Sequence, residues 1–167
     1  RQLTQLKRLV NDLLEVARLG QGKLSLDFRE TDLRDPIEAA LENVAGRVEE
    51  ERQAHTVRLP DAPLLVSGDG QRLTQVFSNL LDNASKYSLE GGRASIEARA
   101  RGDRVFVEVS DDGQGLDPEE AGRVFEMYWQ SGSSPGRGGL GIGLALVKRL
   151  MEAHGGGVEA RSAGPGR

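Results

Sequence analysis

Cysteine is absent from this chain of 167 residues. That excludes disulfides and thiolate-bound metals, and it is compatible with a reducing compartment. No apolar run exceeds a few residues, so no segment reads as a membrane span. The opening Arg1-Gln2-Leu3-Thr4 leads into no apolar stretch of the kind that marks a signal peptide. A basic surplus is missing too: 22 Lys and Arg stand against 26 Asp and Glu, for a net charge of −4. Nucleic acid is therefore not an expected partner, although a local basic site for a nucleotide is compatible with that charge. Aromatic residues are scarce (one Trp, two Tyr and four Phe), so the closeness of Phe125, Tyr128 and Trp129 is informative. The chain starts without Met and reads as a piece of something longer.

The pattern along the chain divides it at about residue 20. Residues 1–19 read as a helix with apolar residues Leu3, Leu6, Val10, Leu13 and Ala17 spaced 3, 4, 3, 4, a heptad seam. Such a seam serves either a partner helix or the core of its own domain. Gly20-Gln21-Gly22 ends it and supplies a hinge. Over residues 21–167, Leu24, Leu26 and Phe28 alternate as in a strand. Asp32 or Asp35 precedes a helix with Pro36 in its first turn, running to about residue 52 with Ile37, Ala40, Leu41, Val44 and Val48 on one face. Strand pieces follow at 56–59 and 64–66, then a helix over 69–87. Two alternating strands, 93–100 and 104–110, are joined by the hairpin signal Arg101-Gly102-Asp103. Asp117, Pro118 and Glu120 form a capping box. A Gly/Ser/Pro-rich stretch at 131–138 precedes a helix over 141–154, and a last strand is expected at 158–161. Helices alternating with hairpin-connected strands predict a two-layer α/β sandwich preceded by one long N-terminal helix.

Four blocks carry the chemistry. In Asn79-Leu80-Leu81-Asp82-Asn83-Ala84-Ser85-Lys86-Tyr87, the residues Asn79, Asn83 and Lys86 fall at i, i+4 and i+7 beside the apolar stripe of Leu73, Val76, Phe77, Leu80, Leu81 and Ala84. Asn disfavours helix interiors, because its amide competes with the backbone. Two of them a turn apart point to a polar site at the core's edge, where an amide oxygen suits Mg²⁺ and Lys86 suits phosphate. In Asp111-Asp112-Gly113-Gln114-Gly115, Asp111 stands at a strand end, placed to accept from an exocyclic amine such as that of adenine. Gly113 and Gly115 allow a tight turn or a close approach to a flat ring. Val124-Phe125-Glu126 and the aromatics beside it read as the anchor of a lid. Gly139-Leu140-Gly141-Ile142-Gly143-Leu144-Ala145 opens a helix, the arrangement of an anion site. It is neither a P-loop, since no Gly-Lys-Ser/Thr follows, nor a dinucleotide fingerprint, since no strand leads into it.

In this order the blocks resemble the N box, first glycine box, F box and second glycine box of sensor histidine kinases, within the Bergerat ATPase superfamily; the resemblance covers residues 24–167. It implies the Bergerat ATP-binding fold, with ATP and Mg²⁺ as ligands. It implies that Asn83 binds Mg²⁺, that Asn79 and Lys86 line the phosphates, and that Tyr87 lies near the base. Asp111 would recognise adenine with Gly113 and Gly115 shaping its pocket. Gly139, Leu140, Gly141, Ile142, Gly143 and Leu144 would form the lid hinge and phosphate contacts. The implied activity is transfer of the ATP γ-phosphate to a histidine on a separate helical hairpin, Asn83 and Lys86 being the catalytic positions. Residues 1–20 would be part of that hairpin and its homodimer seam. A response regulator or a fused receiver domain would be the downstream partner, and the domain would be cytoplasmic in a parent either anchored to a membrane or free of one.

Three departures qualify the resemblance. No phosphoacceptor block stands in the chain: His55 reads as a surface histidine and His154 as a helix-end one. Gln130 occupies a position where many members carry Arg. The chain ends before the family's usual final strand. Other readings are a gyrase-, MutL- or chaperone-type ATPase, a serine kinase, or a non-catalytic dimerising scaffold with a degenerate pocket. The first needs a carboxylate near the first N-box position, and no Glu lies within 73–87. The scaffold reading sits poorly with an intact Asn83 and Asp111.

Overall fold

The computed structural model describes residue 14 and residues 25–130 and 140–164. The N-terminal heptad seam and the hinge at 20–22 thus lie outside the described residues, apart from Leu14, which is helical and about half exposed. The described chain forms two compact units, Leu26–Gly115 and Leu116–Ser162.

The first unit is a two-layer α/β arrangement. Its elements are β1 (Arg29–Asp32), α1 (Arg34–Glu50), β2 (Ala54–Arg58), β3 (Leu65–Gly68), α2 (Gly70–Tyr87), β4 (Arg93–Arg101) and β5 (Arg104–Asp111). β1 and β3 pair antiparallel, and a second sheet has the order β2-β4-β5, with β2 parallel to β4 and β5 antiparallel. The β4–β5 hairpin turns at Gly102, whose φ of +65° is the left-handed conformation that the turn signal called for. Period-two alternation sends Ala94, Ile96 and Ala98 inward, where all three are buried. The small side chains at 94 and 98 give α2 room to lie over β4 and β5.

On α2, Leu73, Val76, Phe77, Leu81 and Ala84 are buried as the helical period predicts, while Leu80 is half-buried. Each large one contributes about 1.5–3 kcal/mol by leaving water. Helix α1 packs on α2 through Ile37, Ala40 and Val44, and two polar links fix the pair: Asn43 Nδ2 donates to Ser78 Oγ (3.1 Å), and Arg47 Nε meets Asp82 Oδ1 (2.9 Å).

Three expectations in this unit are corrected. The first described strand occupies residues 29–32, not 25–28, because its register pairs Arg29 with Gly68 and Asp32 with Leu65; Leu24 lies outside the described residues. Neither Asp32 nor Asp35 is the N-cap of α1, which is Leu33 without a side-chain cap bond; Asp32 Oδ1 instead accepts from the N–H groups of Arg34 (3.2 Å) and Leu64 (3.1 Å), tying α1 to the approach of β3. Arg34's side chain bonds the other carboxylate oxygen and, with those N–H groups, lowers the Asp32 pKa to about 2. His55 is not a surface residue. It lies on the inner face of β2 opposite Ala94, half-buried, with its Nε2 buried and unpartnered.

The second unit holds α3 (Pro118–Ala121) and α4 (Gly143–Ala153). The capping box at Asp117 and Glu120 forms as the sequence predicts. Val124, Ile142, Ala145, Leu146, Val147 and Leu150 are buried. Residues 158–161 are not a strand. His154 closes α4, its Nδ1 2.8 Å from the Leu150 carbonyl oxygen, in keeping with a helix-end role.

Candidate nucleotide-binding site

Helix α2 carries four candidate residues, and its ends are pinned. At the start the Asp69 carboxylate accepts from Arg72 N–H (3.2 Å), an N-cap that satisfies one orphan donor. At the end Ser88 turns extended while its N–H bonds Ala84 O (3.1 Å). Between them, burial falls along the polar stripe. Asn79 is 4% exposed, and Asn83 and Lys86, one and two turns on, are half-buried. The Lys86 ammonium lies over the Tyr87 ring, 4.8 Å from its centroid, a cation–π contact.

Asp111 is the last residue of β5 and pairs with Ala94, on the face that α2 covers. Its Oδ1 accepts from Gly113 N–H at 2.9 Å. Although the residue keeps solvent contact, the protein packed around its carboxyl group raises the pKa; the Gly113 bond opposes that rise and the neighbouring Asp112 charge adds to it. Asp112 acts differently. Its carboxylate accepts from Arg93 N–H (2.7 Å) and its own N–H donates to Arg93 O (3.0 Å), fastening the loop to the start of β4.

The loop then runs against the end of α2. Gln114 N–H donates to Tyr87 O at 3.2 Å. A Cβ on Gly113 would lie 2.5 Å from that same oxygen and 2.6 Å from Asp111 Oδ1, so only glycine fits. Gly115 leaves with φ of +68°. Tyr87, Asp111, Gly113 and Gly115 are thereby gathered at one end of this unit, with Asn83 and Lys86 on the last two turns of α2.

The remaining candidates stand in the second unit. Tyr128 N–H donates to Gly141 O at 3.0 Å, and a Cβ on Gly141 (φ +66°) would come within 2.5 Å of the Trp129 carbonyl oxygen. This backbone clasp brings together the two ends of the segment between Phe125 and Ile142. Tyr128 is itself left-handed (φ +63°) and exposed. The left-handed Gly141 delays the helix, which starts at Gly143 rather than at 141, with buried Ile142 as an N-cap that offers no side-chain acceptor. Leu140 is exposed and Leu144 half-buried; Gly139 lies outside the described residues.

Among the described residues, no group of three His, Cys, Asp or Glu could hold a metal. The donors on α2 are neutral amides instead. That set suits a Mg²⁺ whose other ligands are phosphate oxygens and water, not a protein-built cage. Three contributors went unread in the sequence. Asp112 bonds Arg93, 19 residues away, and the pair Gln53 and Ser85 makes contacts separated by 32 residues, beyond the reach of any local pattern.

Residues 68–167 match the family model described as histidine kinase-, DNA gyrase B-, and HSP90-like ATPase. The alginate biosynthesis sensor protein KinB of Pseudomonas aeruginosa is 35% identical over 161 residues, which are 96% of this chain and 27% of that protein. The adaptive-response sensory kinase SasA of Thermosynechococcus vestitus is 39% identical over 92% of this chain and 40% of its own length. The chain thus spans between about a quarter and two fifths of these relatives. Among solved structures, a mycobacterial sensor histidine kinase MprB superposes with a TM-score of 0.67 at 32% identity, covering 77% of this chain and 80% of that one. Full-length ShkA, solved in complex with AMPPNP, gives 0.77 at 32% identity over 94% of this chain and 34% of its own. With its α/β fold, its boxes in order and these relatives, the chain belongs to the histidine kinase-, DNA gyrase B- and HSP90-like ATPase family.

Proposed function

We propose that this chain is the ATP-binding catalytic domain of a two-component sensor histidine kinase, presenting the γ-phosphate of ATP to a histidine on a separate helical hairpin. The observation that carries the reading is the junction of the Asp111 loop with the end of α2. There an adenine acceptor is joined, through Gly113, Gln114 and the Tyr87 carbonyl, to the helix bearing Asn83 and Lys86. Asp111, as a carboxylate at a strand end, accepts from the exocyclic amine of adenine, and Gly113 and Gly115 keep the turn thin enough for the ring. Lys86 and Asn79 would line the phosphate side, and the amide oxygen of Asn83 would hold Mg²⁺. When bound, that ion neutralises and orients the phosphate oxygens. Gly139, Gly141 and Gly143 fall at the positions that the resemblance gives to the lid hinge and its phosphate contacts, and a helix start of this kind favours an anion. Positioning and charge neutralisation are the work of such a domain; the nucleophile comes from elsewhere.

Residues 1–20 are, in this reading, part of the dimerisation and phosphotransfer hairpin, with the heptad seam as a homodimer contact and 21–167 as the catalytic domain. A response regulator or fused receiver domain receives the phosphoryl group from the histidine. No described helix is long and apolar enough to cross a membrane. The experiment is titration calorimetry of the chain with a non-hydrolysable ATP analogue, with and without Mg²⁺. Micromolar binding that tightens with Mg²⁺ and disappears in Asp111→Asn is expected. Absence of binding by the folded chain would instead favour a scaffold with a degenerate pocket.

A further inference from the structure

Gln53 lies just before β2 and has no place in any of the four boxes. Its side chain nevertheless makes three hydrogen bonds at the end of α2. Nε2 donates to the carbonyl oxygens of Ser85 (2.8 Å) and Leu89 (3.3 Å), and Oε1 accepts from the Ser85 hydroxyl (2.5 Å). The Ser85 carbonyl belongs to the last turn, where a helix has no N–H left to offer its own acceptors. Ser85 is only 2% exposed, so water cannot easily replace Gln53 at its hydroxyl. The Gln53 backbone is fixed as well, its N–H donating to Val48 O (2.9 Å), while Ala54 N–H donates to Gly92 O (3.0 Å). A single amide thus joins the α1–β2 turn, the last turn of α2 and the chain leaving that helix.

We infer that Gln53 is a positioning residue for nucleotide binding, acting through the last turn of α2 on Lys86, Tyr87 and, by way of the Tyr87 carbonyl, the Asp111 loop. Three observations carry this assignment. The Gln53 bonds end on the residue immediately before Lys86 and Tyr87. The Tyr87 carbonyl is the acceptor for Gln114 and the near neighbour of Gly113, so a tilt of that turn moves the adenine acceptor with it. The start of β4, to which Asp112 is fastened, is reached from the same segment through Ala54 and Gly92. Releasing Gln53 loosens the phosphate side and the base side together. The inference rests on the ATP-site reading above.

The test uses the whole chain and Mg²⁺ with a non-hydrolysable ATP analogue. Wild type must bind first; if it does not, the ATP reading itself fails, before Gln53 is in question. Gln53→Ala is expected to weaken binding about tenfold at a temperature well below its melting point, the usual scale for removing a supporting hydrogen bond behind a ligand-binding group. Gln53→Glu supplies the readout that a purely structural role would not move. Its ionised carboxylate has no donor for the two carbonyl groups, whereas its protonated form donates one O–H and still accepts from Ser85. The ratio of its Kd to that of wild type, measured at the same pH, should start near tenfold at pH 8 and fall toward one as the pH drops through the Glu titration. Wild-type affinity in folded Gln53→Ala, or a Gln53→Glu ratio that stays flat with pH, overturns the assignment. If Gln53→Ala does not fold, the Gln53→Glu ratio decides alone.

Discussion

Three glycines of this chain exclude a Cβ for different reasons, and substituting alanine at each separates those reasons. Gly102, in the β4–β5 turn, has φ of +65° and nothing within 4 Å of a built Cβ. Alanine there meets only the left-handed penalty, about 1 kcal/mol, partly offset by a less flexible unfolded chain. Gly113 is the opposite case: its φ is outside the left-handed region, but a Cβ would sit 2.5 Å from Tyr87 O and 2.6 Å from Asp111 Oδ1. The Asp111 side chain can rotate away at the loss of its bond to Gly113 N–H. The Tyr87 carbonyl is main chain at the end of α2, and it must retreat by at least about half an ångström, straining its bond from Gln114. Overpacking of this kind costs about 1–3 kcal/mol. Gly141 combines both penalties, with φ of +66° and the Trp129 carbonyl oxygen at 2.5 Å, for about 2–4 kcal/mol in all.

At roughly 2–4 °C per kcal/mol for a chain of this size, calorimetric melting should fall by about 2–4 °C for Gly102→Ala, 2–12 °C for Gly113→Ala and 4–16 °C for Gly141→Ala. Binding should order differently from stability. Gly102→Ala keeps wild-type affinity for the ATP analogue, while Gly113→Ala loses at least about tenfold because Asp111 must turn. A Gly113→Ala chain that melts like Gly102→Ala and binds like wild type would refute the packing of the Asp111 loop on α2 described above.

Four further outcomes follow from individual groups. Asn83→Ala should retain analogue binding in EDTA yet lose the tightening that Mg²⁺ brings, and an undiminished Mg²⁺ effect by calorimetry would remove Asn83 as the ligand. The raised pKa of Asp111 means its favourable contribution is present below the ordinary carboxylate value of 3.8 and is lost as pH rises through the raised one; Asp111→Asn should therefore gain stability at pH 7, seen as a higher urea midpoint, while abolishing binding. Asp32 runs the other way: its contribution is present above 3.8 and is lost as pH falls through about 2, so wild type and Asp32→Asn should differ in midpoint at pH 6 and converge near pH 2 in any still-folded population. His55 has its pKa lowered from 6.5 by burial, so its contribution is present above 6.5 and is lost as pH falls below it; His55→Val should gain about 1 kcal/mol at pH 7.5 by removing an orphaned nitrogen, and more at pH 5.5, and a gain that shrinks with acid would show the ring to be solvated.

How much of this was legible depended on the distance over which each signal acts. The buried stripe of α2, the alternation of Ala94, Ile96 and Ala98, the turn at Gly102 and the capping box at Asp117 all follow from neighbours within a few residues, and the structure agrees with each. The strand expected at 24–28 is absent from the described residues 25–28, because alternation of Leu26 and Phe28 says nothing about register. Pairing with β3 moved the strand to 29–32. The strand expected at 158–161 failed for a related reason: a period-two pattern does not supply the neighbour that a ladder requires. Of the candidate site, the helical stripe of Asn79, Asn83 and Lys86 and the strand-end place of Asp111 were readable, but the glue was not. Gln53 with Ser85 and Asp112 with Arg93 are tertiary pairs whose side chains meet only after the sheet and α2 have packed.

The energetic pattern of the site explains why that glue is needed. Asn79 is buried in a helix that its amide does not favour, and the Asp111 carboxyl is held where its charge is disfavoured. Gly113 and Gly115 give up the conformational restraint that a side chain would bring. Each choice costs stability at the place where a nucleotide is proposed to bind. The offset lies one layer away, in Ile37, Val76, Phe77, Leu81 and Ile96, all buried among α1, α2 and the sheet. A core can hold helices against a sheet, yet it cannot fix the last turn of a helix whose carbonyl groups have no partners. Directional bonds must do that, and the Gln53 side chain and the Gln114 N–H provide them, one to the Ser85 carbonyl and one to the Tyr87 carbonyl. A substitution in the core should therefore lower melting with little change in affinity, whereas one at Gln53 should lower affinity out of proportion to melting. Measuring both quantities for Phe77→Leu and Gln53→Ala tests this directly, and proportional losses in the two variants would mean that the core alone sets the site.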